Sequence, residues 1–406
     1  MTKPAILMIV ENHFPYDSRV RKEAYALKDE YEITVVAIRQ GQEKFLESVN
    51  GVSVIRVPAL ELSRIKFENR IVQGVWKKVS YVLEYAYFTS AAALAFLLTT
   101  LTRRYKAIHA HNPPETLFIV GLIGKLFSTK FIFDHHDLSP ELYLTRFSGN
   151  KGFAYKMLVF LEKMSCRLAD AVICTNESYK HIEIDRHRIA AKKIFVVRNN
   201  PIVSDCSTAD VNITGKANDY KKTLLFLGSI NPQDGVDNLM HGIHHLVYAL
   251  GQKDFICNVV GGGDSLDSLK ELARQLDIDT FVDFKGPVSD RKKVIEYLST
   301  SDIGVEPAPE NELNKHSTFI KVMEYMAAGK PVVAFDLPEN RFSADGAAML
   351  APLGDVRIFA ALLKQLLDDR DLRLRLGASG HQRVSAVLSW ESASANLRLA
   401  YKSLNM

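Results

Sequence analysis

Lys315 to Val333 reads KHSTFIKVMEYMAAGKPVV, and this stretch decides the fold. It is a loop, a helix, a glycine stop, a proline and a buried strand in immediate succession. The hydroxyl of Ser317 or Thr318 is placed to cap the helix start. Gly329 and Pro331 end the helix before the apolar run that begins at Val332. A helix N-terminus presents unbonded amides and a positive dipole end, and Lys321 adds a charge, so an anion such as a phosphate suits it. Glu324 lies further along, where a carboxylate can accept hydrogen bonds from sugar hydroxyls. An alanine-rich helix packed on a sheet accounts for Met323, Met326 and Ala327. It accounts less naturally for Glu324.

The same alternation of helix and strand extends upstream. Apolar runs at Thr223–Leu227, Ile256–Val260, Val282–Lys285, Ile303–Val305 and Val332–Phe335 predict strands, with helical patterns between them. Strands alternating with helices argue for βαβ units and a parallel sheet. In such sheets ligands bind beyond the carboxyl ends of the strands. Three strand ends carry glycines there: Gly228-Ser229, Gly261-Gly262-Gly263 and Gly286-Pro287. Glycine turns allow close backbone approach by a ligand, and they serve equally as tight structural turns.

Before Thr223 lies a polar, turn-rich stretch, Asn199–Lys222, with the composition of a linker. The first half repeats the pattern. Ile6–Val10, Ile33–Ile38, Val52–Val57, Ala107–His111, Phe131–Phe133, Ala171–Thr175 and Ile194–Val197 read as strands, and Arg19–Leu27 as a helix. The chain is therefore expected to be α/β, with two Rossmann-like doubly wound domains facing a central cleft. The boundaries expected are 1–198, a linker 199–222, a second domain 223–385 and a closing helix 386–406.

Bulk properties agree. A chain of 406 residues exceeds what one core usually holds. Its 47% hydrophobic and 24% charged content is that of a globular enzyme, which excludes disordered and collagen-like classes. The four cysteines form no CxxC pair, so a reduced, cytoplasmic chain is expected. The N-terminal apolar run Ala5–Val10 is too short for a secretory signal. Charge is uneven. Of the net +4, Glu61 to Lys106 supplies an excess of five positive charges. That region encloses Tyr81–Leu101, whose one charge is Glu84. The run is long enough to cross a bilayer, for which about 20 residues suffice. A buried helix of the first domain is the favoured reading. The alternative is a helix whose basic flanks touch an anionic membrane surface.

Polar residues also gather after the first-half strands. His109 and His111 share one face of their strand, since alternate residues point the same way. With Asp134, His135, His136 and Asp137 they make a dense set in which a metal site is conceivable. No metal is expected, because a third ligand cluster is missing.

The residues from His316 to Val333 resemble the signature helix of family 4 glycosyltransferases of the GT-B fold. In that family a Glu, seven residues, a second Glu, small residues, Gly, Pro and two valines recur. Glu324 takes the second Glu, which the resemblance implies holds the nucleotide ribose. His316 stands where the first Glu is usual, and Ser229 or Ile230 and Asp234 stand where Arg and Lys usually clamp phosphate. The phosphates would then be met by the amides of Gly228 and Ser229, by Ser317, Thr318 and Lys321, and by Arg198, with Gly262, Gly286 and Pro287 lining the same crevice. Asp17-Ser18-Arg19, His109-Ala110-His111-Asn112-Pro113-Pro114 and Asp134-His135-His136-Asp137 resemble motifs of a branch found in bacterial polysaccharide assembly. Ser389-Trp390 and the helix to Tyr401 resemble the family's last helix, which crosses back to the first domain.

The resemblance implies transfer of a sugar from a UDP- or GDP-type donor to a saccharide or lipid-linked acceptor, with retention and without a cofactor. His111, His136, Asp137 and His316 would line the reacting centre, and Asp17, Arg19, His109 and Asp134 the acceptor side. The protein partner set would be donor and acceptor, with peripheral contact at an anionic inner membrane and no nucleic acid. A nucleotide-sugar 2-epimerase of the same fold and a non-catalytic sugar-nucleotide sensor are the alternatives.

Overall fold

A computed structural model describes residues 3–146, 150–206 and 221–406. Most of the expected linker, 207–220, lies outside the described residues. The chain divides into two compact units. The first comprises 1–143, 150–197 and 394–406, and the second 198–393 together with 144–149.

The first unit begins with β1 (Ala5–Val10), α1 (Ser18–Leu27), β2 (Glu32–Ile38), β3 (Leu46–Val49), β4 (Val52–Val57) and α2 (Arg70–Thr100). It continues with β5 (Tyr105–His111), α3 (Phe118–Leu126), β6 (Lys130–His135), α4 (Ser139–Arg146), α5 (Phe153–Leu168), β7 (Ala171–Cys174), α6 (Glu177–Asp185) and β8 (Ile194–Val196). Its eight-stranded sheet runs β3-β4-β2-β1-β5-β6-β7-β8. All pairs are parallel except β3 with β4. β1 is buried at every position, as a central strand covered on both faces must be. The steps β4 to β5, β5 to β6 and β6 to β7 go the same way along the sheet. Right-handed crossovers therefore put α2, α3 and α5 on one face, and α1, which connects in the opposite direction, on the other.

The second unit holds β9 (Lys222–Leu227), α7 (Val236–His244), β10 (Phe255–Val260), α8 (Leu266–Gln275), β11 (Val282–Gly286), α9 (Arg291–Thr300) and β12 (Ile303–Glu306). α10 (Ile320–Ala327), β13 (Val332–Phe335), α11 (Pro338–Ala344), β14 (Met349–Ala351), α12 (Val356–Asp368) and α13 (Arg370–Ala386) follow. Its six-stranded parallel sheet runs β11-β10-β9-β12-β13-β14. Two apolar clusters cover its faces, one around Leu224 and Phe226 and the other around Leu225, Tyr325 and Met326. The last helix, α14 (Trp390–Lys402), starts later than the expected 386, and from Ser394 onward it belongs to the first unit.

One sequence expectation is overturned. The Tyr81–Leu101 run is not a buried helix. All of it but Leu101 lies within α2, and only 28% of the most apolar window of that helix is buried. Glu84, Phe88, Ala92 and Phe96, each four residues apart, face the unit. Leu94, Leu97, Leu98 and Leu101 face outward.

Candidate functional site

In the second unit the glycine-bearing strand ends form one shelf. Gly228 follows β9 with φ +145°, and Gly261 follows β10 with φ +155°. A Cβ at Gly261 would lie 1.7 Å from the carbonyl oxygen of Gly228, so only glycine fits that approach. Gly262 lies against Pro287, which follows Gly286 at the end of β11. The shelf is thus backbone brought close to backbone, with little side-chain cover.

α10 is pinned beside it by Tyr325. The Leu227 amide donates to the Tyr325 hydroxyl at 2.8 Å, and the Tyr325 ring sits where a Cβ on Gly304 would be. This places Lys321 against Gly228. Its ammonium lies 2.8 Å from a carboxylate oxygen of fully buried Glu306 and 4.2 Å from the centre of the Phe226 ring. Burial, more than Lys321 can offset, holds both Glu306 and Asp234 above the ordinary carboxylate range. Lys321 already has a partner in Glu306, which sequence reading missed, so a phosphate there would compete with that carboxylate for the ammonium.

Glu324 is held by Arg291, whose guanidinium donates to it at 2.7 Å and to the Cys206 sulfur at 3.3 Å. Both side chains keep some exposure, so the carboxylate can still meet a ligand. Arg291 was also missed, because it belongs to α9 and comes to Glu324 only through packing.

Two expectations near this helix need correction. Neither Ser317 nor Thr318 caps α10. Phe319 occupies the cap position without a side-chain bond, while Ser317 donates to the Leu313 carbonyl and Thr318 to Glu339. Arg198 is not a free phosphate ligand. It is buried, donates to Glu339 at 2.8 Å and stacks on Phe342 at 4.0 Å. His316 and Ser317 are half-exposed in the loop before α10, and Ser229 is exposed beside the shelf.

In the first unit the expected polar set separates into an interior and a rim. Arg19 donates to Asp134 through Nε at 2.8 Å and Nη2 at 2.6 Å, and to the Val197 carbonyl at 2.9 Å. The ring of His111 bonds Asp134 at 2.9 Å, and His109 bonds the Tyr401 hydroxyl at 2.9 Å. The two imidazoles stack with centroids 4.2 Å apart, as their shared face predicts. All of these are buried, with Glu23 beside them. Arg19, His109, His111 and Asp134 are therefore enclosed rather than exposed at a surface; Arg19 ties α1 to Asp134 at the end of β6, and His109 ties β5 to Tyr401 in the C-terminal helix. Burial alone would raise Asp134, yet Arg19 and His111 hold it well below its ordinary value. Burial, then their mutual charge, keeps His109 neutral, and burial does the same for His111. The ligand atoms of Glu23, His109, His111 and Asp134 come within the span of one cation. Arg19 already bridges Glu23 and Asp134, at 3.2 and 2.6 Å, and supplies that charge.

The rim comprises Asp17, His136 and Asp137. Asp17 caps α1 by accepting the Val20 amide at 3.0 Å. Burial works against its charge, but His136, that amide and Asn12 hold it below the ordinary range. His136 stacks toward His111 at 5.9 Å, and Asp137 is exposed. Asn112 links the two loops, its side-chain oxygen accepting the amides of His136 and Asp137. Glu11, at the end of β1, was not singled out from sequence. Burial, with Glu84 adding to it, pushes its carboxyl up to about 7.

A second buried cluster, also missed, joins β6, α5 and α6. His135 lies between Glu183 and Glu162, Cys166 donates to Glu183 at 2.9 Å, and His187 bonds Glu162. Its ligand-type atoms already bond one another directly, so it reads as an ion-pair network.

Residues 17–200 match the family model for a glycosyl transferase 4-like domain, and residues 221–369 the one for glycosyl transferases group 1. The chain is 27% identical over 227 residues to a putative teichuronic acid biosynthesis glycosyltransferase, TuaH, of Bacillus subtilis, covering 54% of each. It is 30% identical over 165 residues to a GDP-mannose-dependent mannosyltransferase acting on a monoacylated phosphatidylinositol monomannoside in Corynebacterium glutamicum, covering 39% of this chain and 42% of that one. The matches thus span about half the length of these curated relatives. In structure it superposes on sucrose-phosphate synthase from Thermosynechococcus elongatus with a TM-score of 0.74 at 18% identity, covering 99% of both chains. It superposes on HepE from Anabaena, solved with UDP, with a TM-score of 0.72 at 14% identity, covering 99% of this chain and 100% of that one. Two family matches that together take in most of the chain, on two Rossmann-like units, place it among the family 4 glycosyltransferases of the GT-B fold.

Proposed function

We propose that this chain transfers a sugar from a nucleoside-diphosphate sugar to a saccharide or lipid-linked acceptor in bacterial cell-surface polysaccharide or glycolipid synthesis. The observation that carries this reading is Glu324, a part-exposed carboxylate oriented by Arg291 on a helix pinned to the glycine shelf. A carboxylate there suits ribose hydroxyls, and the shelf amides suit a diphosphate. The TuaH and mannosyltransferase relatives support an envelope-glycan setting, and HepE with UDP supports a UDP-type donor. Four buried, unpaired cysteines suit a cytoplasmic location.

In the reaction proposed, the acceptor oxygen bonds the anomeric carbon on the face the phosphate leaves. The carbon–oxygen bond to phosphate breaks, and the acceptor proton passes to the leaving diphosphate. Configuration is retained, and neither a side-chain nucleophile nor a cofactor is needed. One observation favours a sensor that binds without turnover: Lys321 and Arg198 are already engaged by Glu306 and Glu339.

Thermal stabilisation by UDP, GDP, ADP and their sugar conjugates tests the reading. A ligand at about 100 times its dissociation constant adds about 2.7 kcal/mol. One diphosphate should stabilise the protein, and Glu324→Ala should weaken that ligand by about 1.5–3 kcal/mol, the worth of a hydrogen bond to a charged group. No stabilisation by any diphosphate would remove the donor site. Binding without release of diphosphate in the presence of acceptors would favour the sensor.

A further inference from the structure

We propose that α2, α3 and α5 form a surface that docks flat on an anionic lipid membrane. The observations are independent of the transferase reading. α2 packs against α3, and α3 against α5, on the same face of the first sheet. The outward side of each is apolar. On α2, Val72, Val75, Val79, Leu94 and Leu98 are exposed, and they fall on one stripe at helical spacing. On α3 the exposed positions are Ile119, Leu122 and Leu126, the last 83% exposed. On α5 the exposed large apolar side chains are Phe153, Met157 and Phe160, with Phe153 80% exposed. Soluble monomers rarely expose contiguous apolar patches of this extent without a partner.

Charge identifies the partner. α2 contains one acidic residue, Glu84, α5 contains one, Glu162, and α3 contains none. Both acids are buried: Glu84 accepts the Ser63 amide at 2.7 Å, and Glu162 sits in the His135 cluster. Every acidic side chain of the three helices is thus turned inward. Lys78, Lys156, Arg167 and, just past α2, Arg104 remain exposed. An apolar stripe whose exposed charges on the helices are all basic, with the exposed acids Glu61 and Glu68 confined to the segment before α2, matches an anionic bilayer, in which apolar side chains enter the headgroup region and basic ones pair with phosphates. A protein partner would accept acidic residues on the same face.

α2 is long and apolar enough to cross a membrane, but its inner stripe is built for the unit. Glu84, Phe88 and Phe96 pack inward, and Trp76 donates to the Leu62 carbonyl at 3.0 Å. The helix therefore lies in the interface plane rather than across it.

The test is sedimentation of the purified full chain with vesicles of phosphatidylglycerol and phosphatidylcholine, against phosphatidylcholine alone. The anionic vesicles should bind it at least about tenfold more tightly, with binding lost in high salt. Leu98→Glu, Leu126→Glu and Phe153→Glu should each weaken binding about tenfold or more while leaving the melting temperature unchanged, since all three side chains are exposed. Lys78→Gln and Arg104→Gln should each cost about fivefold, near 1 kcal/mol per basic group at such a surface. Equal binding to neutral vesicles, or none to either, overturns the proposal. So does a solution dimer that Leu98→Glu splits without any vesicle binding, which would make a second copy the occupant. Retention in the bilayer through alkaline carbonate extraction would show that α2 spans.

Discussion

Glu11 shows how a single residue can carry chemistry that its neighbours in sequence do not announce. It directly follows β1, and burial together with Glu84 brings its carboxyl to about 7 against an ordinary 4.5. The folded protein therefore keeps a proton that the unfolded chain has released between these values. Stability must fall as pH rises from 4.5 through 7 and level off above. Glu11→Gln removes the slope. It should stabilise the fold by up to about 3 kcal/mol at pH 8 and by only a few tenths, about 0.4 kcal/mol, at pH 4.5. Urea unfolding at the two pH values checks this, and an equal gain at both would mean the carboxyl does not titrate there. Its partner comes from α2, far along the chain, so no local pattern marks it. The same holds for Arg291 and Glu306, which reach Glu324 and Lys321 only through packing. Period two, in contrast, correctly put His109 and His111 on one face. It could not tell whether that face looks to solvent or inward, and the structure turns it inward.

At the scale of elements, strands and their ends were legible because parallel strands buried on both faces read as continuous apolar runs. β3 and β14 were not. LESV and MLA are short edge strands whose conformation is set by their partners β4 and β13. α2 was legible as a helix but misplaced as buried, since apolar composition reads alike for a core and for an exposed apolar face. The packing of β6, α5 and α6 includes ionised groups as well as apolar area. His135 is held well up as an imidazolium by Glu183 and Glu162 despite burial, and Glu162 is held low by His135 in spite of the same burial. Glu162→Gln leaves that charge half-compensated. Breaking a buried pair from one side costs about 3–5 kcal/mol, and that loss is expected at pH 7. Glu162 is depressed, so its contribution exists above about 4.5 and fades as pH falls below it. The difference between wild type and variant should shrink accordingly in acid. A variant as stable as wild type at pH 7 would show the cluster to be energetically idle.

For the whole molecule, the chain leaves the first unit after Val197 and returns to it at Ser394. The return is a structural part of that unit. Leu397, Ala400, Tyr401 and Leu404 are buried, and Tyr401 is the hydrogen-bond partner of buried His109. Arg398 adds bonds to the Ala26 carbonyl and to Glu30. The C-terminal residues thus complete a core begun by β1 and β5. The first unit cannot be fully formed until the chain has passed through the second. Tyr401→Phe keeps the ring and removes the partner of His109, at an expected cost of about 1–3 kcal/mol. Tyr401→Ala also opens a cavity and should cost about 3–5 kcal/mol. The shelf and the Glu324–Arg291 pair lie wholly within residues 198–393, so nucleotide affinity should survive Tyr401→Phe. Thermal melts with and without the stabilising diphosphate separate the two effects. A melting temperature unchanged by Tyr401→Ala would mean that the returning helix only rests on the first unit. A fall in melting temperature with the ligand shift retained would mean that the returning segment completes the first core while the donor site is built by the second unit alone.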